Sequence, residues 1–249
     1  MLTSVLDRIR TSLGPNARRR LRLFADPLLS PVGSINGTRS ASHEVALTFD
    51  DGPDPAVTPR LLDLLRDRAI RATFFLLTDK ATDQPALVRR MADEGHEVAL
   101  HFDRHDRLPS LPLPEARQRI LAARKQLEDL AGAPVRYFRP PFGAQNLATY
   151  FLARSIGLEV VAWSAYAEDW LEQEPAFAAA RGLRDLNGGD ILLLHDGLET
   201  PEGEPVPLFD RVRMVELLLD GMKERGLTAT TVGALLSTGK PRLVTWFRL

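Results

Sequence analysis

Two rhythms of apolar and polar positions alternate along the chain. Short apolar runs bounded by turn residues predict strands at Val45–Phe49, Ala72–Leu77, Glu97–His101, Tyr137–Arg139, Glu159–Trp163, Asp190–His195 and Thr228–Thr231. Between them apolar residues recur at helical spacing. Thr58-Pro59 opens a helix that runs through Leu61, Leu62, Leu64 and Leu65. Pro85 opens another, closed by Gly95, and Pro114-Glu115 opens a third that ends near Gly132. Asn146 caps a fourth that stops at Gly157, and two more cover about 174–186 and 207–225.

Strand and helix in strict alternation predict an α/β protein with a parallel sheet. Periodicity alone fits either an open doubly wound sheet or a barrel. The placement of reactive residues favours a deformed (β/α) barrel of about seven parallel strands with surrounding helices. Asp50 and Asp51, His101, Arg139, Trp163 (just before Asp169) and His195 all fall at C-terminal strand ends, which share one face in a barrel.

The first part of the chain reads differently. Residues 1–44 are expected to be a basic helix and a linker, and residues 45–249 the main domain. Leu2, Val5, Leu6, Ile9 and Leu13 fall at helical spacing among Arg8, Arg10, Arg18, Arg19, Arg20 and Arg22. Such a segment packs on the main domain, or makes peripheral contact with an anionic membrane through residues 1–25. Residues 25–44 are rich in Pro, Gly and Ser and read as the linker.

Composition narrows the chemistry. The 249 residues are 44% hydrophobic and 26% charged, an ordinary soluble composition. A formal net charge of -1 gives no global pull toward nucleic acid. With no cysteine, disulfides, thiolate zinc sites and a cysteine nucleophile are excluded. No run spans a membrane and no secretory signal is read at the start, so the expected location is cytoplasmic.

The most informative stretch is VALTFDDGPDP, residues 45–55. Asp50 and Asp51 end an apolar strand, and neighbours on a strand point to opposite sides, which allows the two carboxylates different roles. His101 and His105, in HFDRH, have a spacing that lets two imidazoles grip one metal. Alone, that spacing also fits two surface histidines. With Asp51 as third ligand it becomes a His-His-Asp set with open positions, as a catalytic metal requires. Asp103 and Asp106 lie close enough to support the metal-binding residues, but read more simply as solvated charges. Asp50 is then free to act as general base, with Arg139 of RPPFG orienting it. Pro140-Pro141 and Gly143 predict a rigid loop in which the Phe142 N–H faces an oxyanion. His195 closes ILLLHDG as a general acid, its pKa raised by Asp169 or Asp196. His43 and His96 read as structural or exposed.

In this order the segments resemble the polysaccharide deacetylase family, also called NodB-homology domains or carbohydrate esterase family four, over roughly residues 40 to 235. TFDDGP, residues 48–53, looks like its first motif, which implies Asp50 as base and Asp51 as metal ligand. His101 to His105 looks like the second, supplying two metal-binding histidines. Residues 139–143 look like the third, with Arg139 positioning the base and Pro141 and Phe142 at the substrate. Asp169-Trp170 looks like the end of the fourth, in which the aspartate tunes the acid and Trp170 lines the groove. Leu193-Leu194-His195 looks like the fifth, with Leu193 in the acetyl pocket and His195 as acid. Two positions depart from the pattern. Phe102 stands where Ser or Thr is usual, and Tyr166 where an earlier aspartate is common.

The resemblance implies a hydrolase that uses one divalent metal ion, most often zinc, to remove N-acetyl (or O-acetyl) groups from an amino-sugar glycan such as chitooligosaccharide or peptidoglycan. The competing readings are a deacylase or deformylase of a small or lipid-linked N-acyl sugar, a non-catalytic glycan-binding pseudo-enzyme, and a phosphoacceptor domain using the aspartate pair. The pseudo-enzyme predicts loss of at least one of Asp50, Asp51, His101, His105 or His195, and all are present.

Overall fold

The computed structural model describes residues 32–39, 43–199 and 207–245. In chain order the elements are β1 (Ser34–Thr38), β2 (Glu44–Asp50), α1 (Thr58–Asp67), β3 (Thr73–Leu77), α2 (Thr78–Asp83), α3 (Pro85–Asp93), β4 (Glu97–Phe102), α4 (Leu113–Ala131), β5 (Tyr137–Phe138), α5 (Leu147–Ser155), β6 (Glu159–Val160), β7 (Ala165–Tyr166), α6 (Pro175–Leu183), β8 (Ile191–His195), α7 (Arg211–Glu224), β9 (Thr228–Thr230), α8 (Val232–Thr238) and β10 (Pro241–Val244). The basic segment of residues 1–25 and half of the expected linker (25–31 and 40–42) lie outside the described residues.

Strands follow the order β6-β5-β4-β3-β2-β8-β7, and β9 pairs with the start of β2. Every pairing in this sheet is parallel. β6 and β7, at opposite edges, belong to one run of chain, residues 159–166. Its start pairs with β5 and its end with β8, so one stretch bridges the two edges of the curled sheet. This is the deformed (β/α) barrel expected from the placement of reactive residues at the strand ends.

The pleat sorts side chains into two cores. On β2, Val45, Leu47 and Phe49 face the helices, and Ala46 faces the inside with Phe75, Ala99, Val161 and Ile191. Val232 and Leu235 of α8 join this inner cluster. Outside, Leu61, Leu62 and Leu65 of α1 are fully buried, each worth roughly 1.5–3 kcal/mol of burial. Pro59 starts α1, and a reciprocal Asn146–Thr149 capping box starts α5, where the sequence put its cap.

One reading needs correction. Ser34–Thr38, inside the stretch read as linker, is β1; it pairs antiparallel with β10, and Ile35 and Gly37 bridge to Val161 and Asp190. Backbone pairing with distant partners, which no apolar alternation announces, orders this segment. Among the described residues no helix is long and apolar enough to cross a membrane.

Candidate active site

Asp50 ends β2 and lies across from His195 of β8. Arg139, just past β5, is fully buried beside it. Arg139 Nη1 donates to Asp50 Oδ1 at 2.6 Å and to Thr48 Oγ1 at 2.9 Å, and Nη2 donates to the Ala162 carbonyl at 3.1 Å. The guanidinium lies 4.1 Å from the centre of the Phe75 ring. Burial pushes the Arg139 pKa down against the pull of Asp50, yet a guanidinium stays charged. Such a charge-assisted bond fixes the carboxylate's orientation. The other oxygen, Oδ2, lies 3.9 Å from His101 Nδ1.

Asp51 does not continue the strand alternation. Its φ is 68°, a left-handed conformation that aspartate tolerates better than most residues, and it brings the second carboxylate to the same histidine as the first. Its backbone is held from two sides. Lys80 Nζ donates to the Asp51 carbonyl at 3.0 Å and to the Leu198 carbonyl at 3.3 Å, and pairs with Glu199 at 2.7 Å. Gly197 packs so closely that a Cβ there would lie 2.4 Å from the Asp51 carbonyl oxygen. Lys80 sits on α2, in the polar sequence TDKATD, which carries no apolar pattern to announce it.

Asp51 Oδ1 lies 3.1 Å from His101 Nε2 and 3.3 Å from His105 Nε2. Neither approach is aligned as a hydrogen bond, and this buried oxygen has no hydrogen-bond partner. Donor atoms of the three residues all lie within 4.8 Å of one another. Burial opposes the Asp51 anion, but His101, with the charges of His195 and His105, holds its pKa well below the usual carboxylate range. Burial also pushes His105 down to about 4, so its ring is neutral with a lone pair to offer. An orphaned carboxylate oxygen between two imidazoles fits a divalent ion with open coordination positions.

His195 Nδ1 meets Asp169 Oδ1 at 2.8 Å, and its backbone N–H donates to Asp169 Oδ2 at 2.7 Å. Burial disfavours the His195 cation, but the charge and hydrogen bond of Asp169, with Asp51 and Asp50 behind them, push its pKa up to about 9. Of the two aspartates offered for this role, only Asp169 takes it. Asp196 instead accepts from Thr58 Oγ1 at 2.6 Å, under Gly52, where a Cβ would lie 2.2 Å from Asp196 Oδ2. Burial pushes Asp196 up to about 7.

The four residues expected at the substrate flank this cluster. Leu193 is buried on β8 in register with Tyr166 of β7. Pro141 is buried in a 3-10 turn, and Phe142, with φ 59°, is 46% exposed, its ring centre 4.1 Å from that of His105. Trp170 stands edge-on to His195 at 5.6 Å and lies nearly parallel to Tyr166 at 5.9 Å. A cavity of about 470 Å³ opens beside His105 and Phe142, walled by Asp79, Lys80, Arg104 and Glu199.

Asp103 and Asp106 are not the solvated charges expected. Arg119 of α4 binds both, with Nε 2.7 Å from Asp103 Oδ2 and Nη2 2.5 Å from Asp106 Oδ2. His96 is structural, its Nδ1 accepting from the Ala72 N–H at 3.1 Å.

A curled parallel sheet with an Asp-His-His cluster and a histidine–carboxylate pair at its C-terminal strand ends is a (β/α)-barrel scaffold carrying a candidate hydrolytic centre. Residues 37–161 match the sequence profile of the polysaccharide deacetylase family. A chitooligosaccharide deacetylase of Bradyrhizobium sp. is 34% identical over 201 residues, 78% of this chain and 89% of that protein. The chain belongs to the polysaccharide deacetylase family, whose members are in general metal-dependent. The peptidoglycan-N-acetylglucosamine deacetylase PgdA of Listeria monocytogenes is 38% identical over 155 residues, 62% of this chain; the match spans only 33% of that longer relative. Among solved structures, the Bc1960 peptidoglycan N-acetylglucosamine deacetylase superposes with a TM-score of 0.75 at 31% identity, covering 84% of this chain and 94% of that one.

Proposed function

We propose that this protein is a metal-dependent hydrolase that removes N-acetyl groups from amino sugars of a glycan such as peptidoglycan or chitooligosaccharide. One observation carries the reading. An anchored carboxylate, Asp50, and a histidine whose pKa is pushed up to about 9, His195, flank a three-donor cluster on one rim. A base and an acid, each held in place by its own buried partner, are what hydrolysis of an unreactive amide requires.

Asp51, His101 and His105 hold the ion, taken as zinc. When bound it supplies Lewis acidity, polarising the acetamide carbonyl and acidifying water. Asp50 Oδ2, left free by the Arg139 bond to Oδ1, takes one proton from the attacking water as its oxygen adds to the carbonyl carbon. The N–H groups of Gly143 and Ala144 already donate to the Pro140 and Pro141 carbonyls at 2.9 Å, so we assign the developing oxyanion to the Phe142 N–H. His195 Nδ1 is bound to Asp169, which makes Nε2 the atom that protonates the departing nitrogen. The C–N bond then breaks, giving a free amine and acetic acid, which loses its remaining proton to solvent as acetate. Leu193 bounds the acetyl group, and Phe142 and Trp170 bracket the sugar.

Acetate release should be screened across chitooligosaccharides, peptidoglycan fragments, acetylxylan and lipid-linked amino sugars, with and without chelator. Release from an N-acetylated glycan, silenced by chelation and restored by metal, is the expected result. Full activity in metal-free protein, or no release from any amino sugar, would sink the reading.

A further inference from the structure

The segment that carries both candidate histidine ligands is irregular. Leu76 pairs with Leu100 and Leu77 with Phe102, so His101 is the extra residue of a bulge. Phe102 follows with φ 135°, a conformation few non-glycine residues adopt, although its side chain is fully buried in the outer core. His105 lies three residues beyond, and its place relative to His101 depends on how residues 102–106 are held.

Arg119 holds them. Its Nε donates to Asp103 Oδ2 at 2.7 Å and its Nη2 to Asp103 Oδ1 at 2.8 Å, a two-pronged bond only a planar guanidinium makes. Nη2 also donates to Asp106 Oδ2 at 2.5 Å, so the clamp grips the chain on both sides of His105. The same guanidinium lies 4.7 Å from the centre of the Phe102 ring. Its side chain is only 22% exposed, and Asp103 is 23% exposed, so water screens the pair weakly. The apolar residue at 102 and the clamp therefore form one unit. Phe102 offers no side-chain hydrogen bond to the loop, but its ring supports the arginine that does.

We propose that Arg119 is a positioning residue for the metal site, keeping His105 within reach of His101 and Asp51. The inference rests on reading those three residues as metal ligands. Arg119 touches neither ion nor substrate; it acts through the loop. Partners hydrogen-bonded directly to a ligand typically contribute about 10–100-fold to metal affinity; Arg119 acts one contact further out, which sets the expectation at the lower end of that range.

The test is zinc affinity of the folded protein by competition with a chromogenic chelator, together with thermal melting of the metal-free form. Arg119→Ala should weaken zinc binding by at least about 10-fold. Arg119→Lys keeps the charge but not the fork, so it should fall between the wild type and Arg119→Ala, and it serves if the alanine variant fails to fold. Asp103→Ala combined with Arg119→Ala should cost little more than either alone, because the two act as one unit. Unchanged zinc affinity in a folded variant, with only a lower melting temperature, would overturn the proposal and leave Arg119 as a packing residue. Absence of zinc binding by the wild type would instead sink the reading of the site itself.

Discussion

Replacing Asp169 by Asn tests the division of labour most sharply. In the wild type both carboxylate oxygens are engaged by His195, one by the backbone N–H and one by ring Nδ1. Asparagine offers one acceptor and one donor. Its oxygen can keep the backbone N–H, but its amide then faces Nδ1 and favours a ring whose Nδ1 carries no proton. A pKa raised from 6.5 to about 9 corresponds to roughly 3 kcal/mol favouring the charged ring. Asp169→Asn removes the largest favourable contribution, so the pKa should fall to 6.5 or below. In a profile of kcat against pH, the alkaline limb should move down accordingly, and kcat at neutral pH should fall by about 10²–10⁴. Stability carries the same sign. The native-state pKa is raised, so the pair's contribution is fully present below about 6.5 and lost as pH rises through about 9. The difference in melting temperature between wild type and variant should therefore narrow from pH 6 to pH 9.5. An alkaline limb that stays in place, with kcat within about threefold of wild type, would refute His195 as an acid tuned by Asp169.

Three further substitutions probe the other parts. Asp50→Asn should cut acetate release by at least about 10² while metal content, measured by elemental analysis, stays the same; a variant that remains active ends the base assignment. Arg139→Met leaves Asp50 buried without its counter-charge, so denaturant unfolding should show a loss of about 3–5 kcal/mol, and unaltered stability would show that the pair does not hold the rim. Tyr166→Ala removes the ring beside Trp170, so KM for long chitooligosaccharides should rise about 10-fold with kcat little changed. An equal effect on the shortest substrates would place Tyr166 outside any extended sugar site.

Much of the site was legible because its chemistry sits in short segments at strand ends. Asp50, Asp51 and His195 follow directly from apolar runs, and the strands that carry them need no distant information to be recognised. Less legible were features whose cause is tertiary. SINGT, residues 34–38, shows no alternation and becomes β1 only through the backbone of β10, about two hundred residues away. β6 and β7 share a single apolar run, and which neighbour each end pairs with depends on closure of the sheet. The alternation rule placed Asp50 and Asp51 on opposite sides, and it failed where the strand ends, because Asp51 leaves the extended conformation. Arg119 looks in sequence like any polar position on an amphipathic helix, so nothing announced the partner that would have decided Asp103 and Asp106 against the solvated reading.

The departure at Asp51 belongs to a wider pattern of strained backbone around the site. Five non-glycine residues have positive φ among the described residues: Asp51, Ala69, Phe102, Phe142 and Glu168. All but Ala69 are at the site. Asp51 is a candidate ligand, Phe102 lies between the two histidines, Phe142 sits in the turn proposed to face the oxyanion, and Glu168 precedes Asp169. Such conformations cost about 1–3 kcal/mol each and persist only where surrounding structure imposes them. Each of the four has a basic side chain against it. Lys80 binds the Asp51 carbonyl, Arg119 packs on Phe102, Arg107 lies 4.6 Å from the Phe142 ring centre, and Arg181 pairs with Glu168 at 2.8 Å. Three of these four cations come from helices α2, α4 and α6, outside the segments that carry the chemistry. The motif residues bring the reactive atoms to one rim; the helices hold the strained backbone that aims them. A graft of the five motif segments onto another barrel, without those four basic residues, should therefore bind metal weakly even with every ligand present.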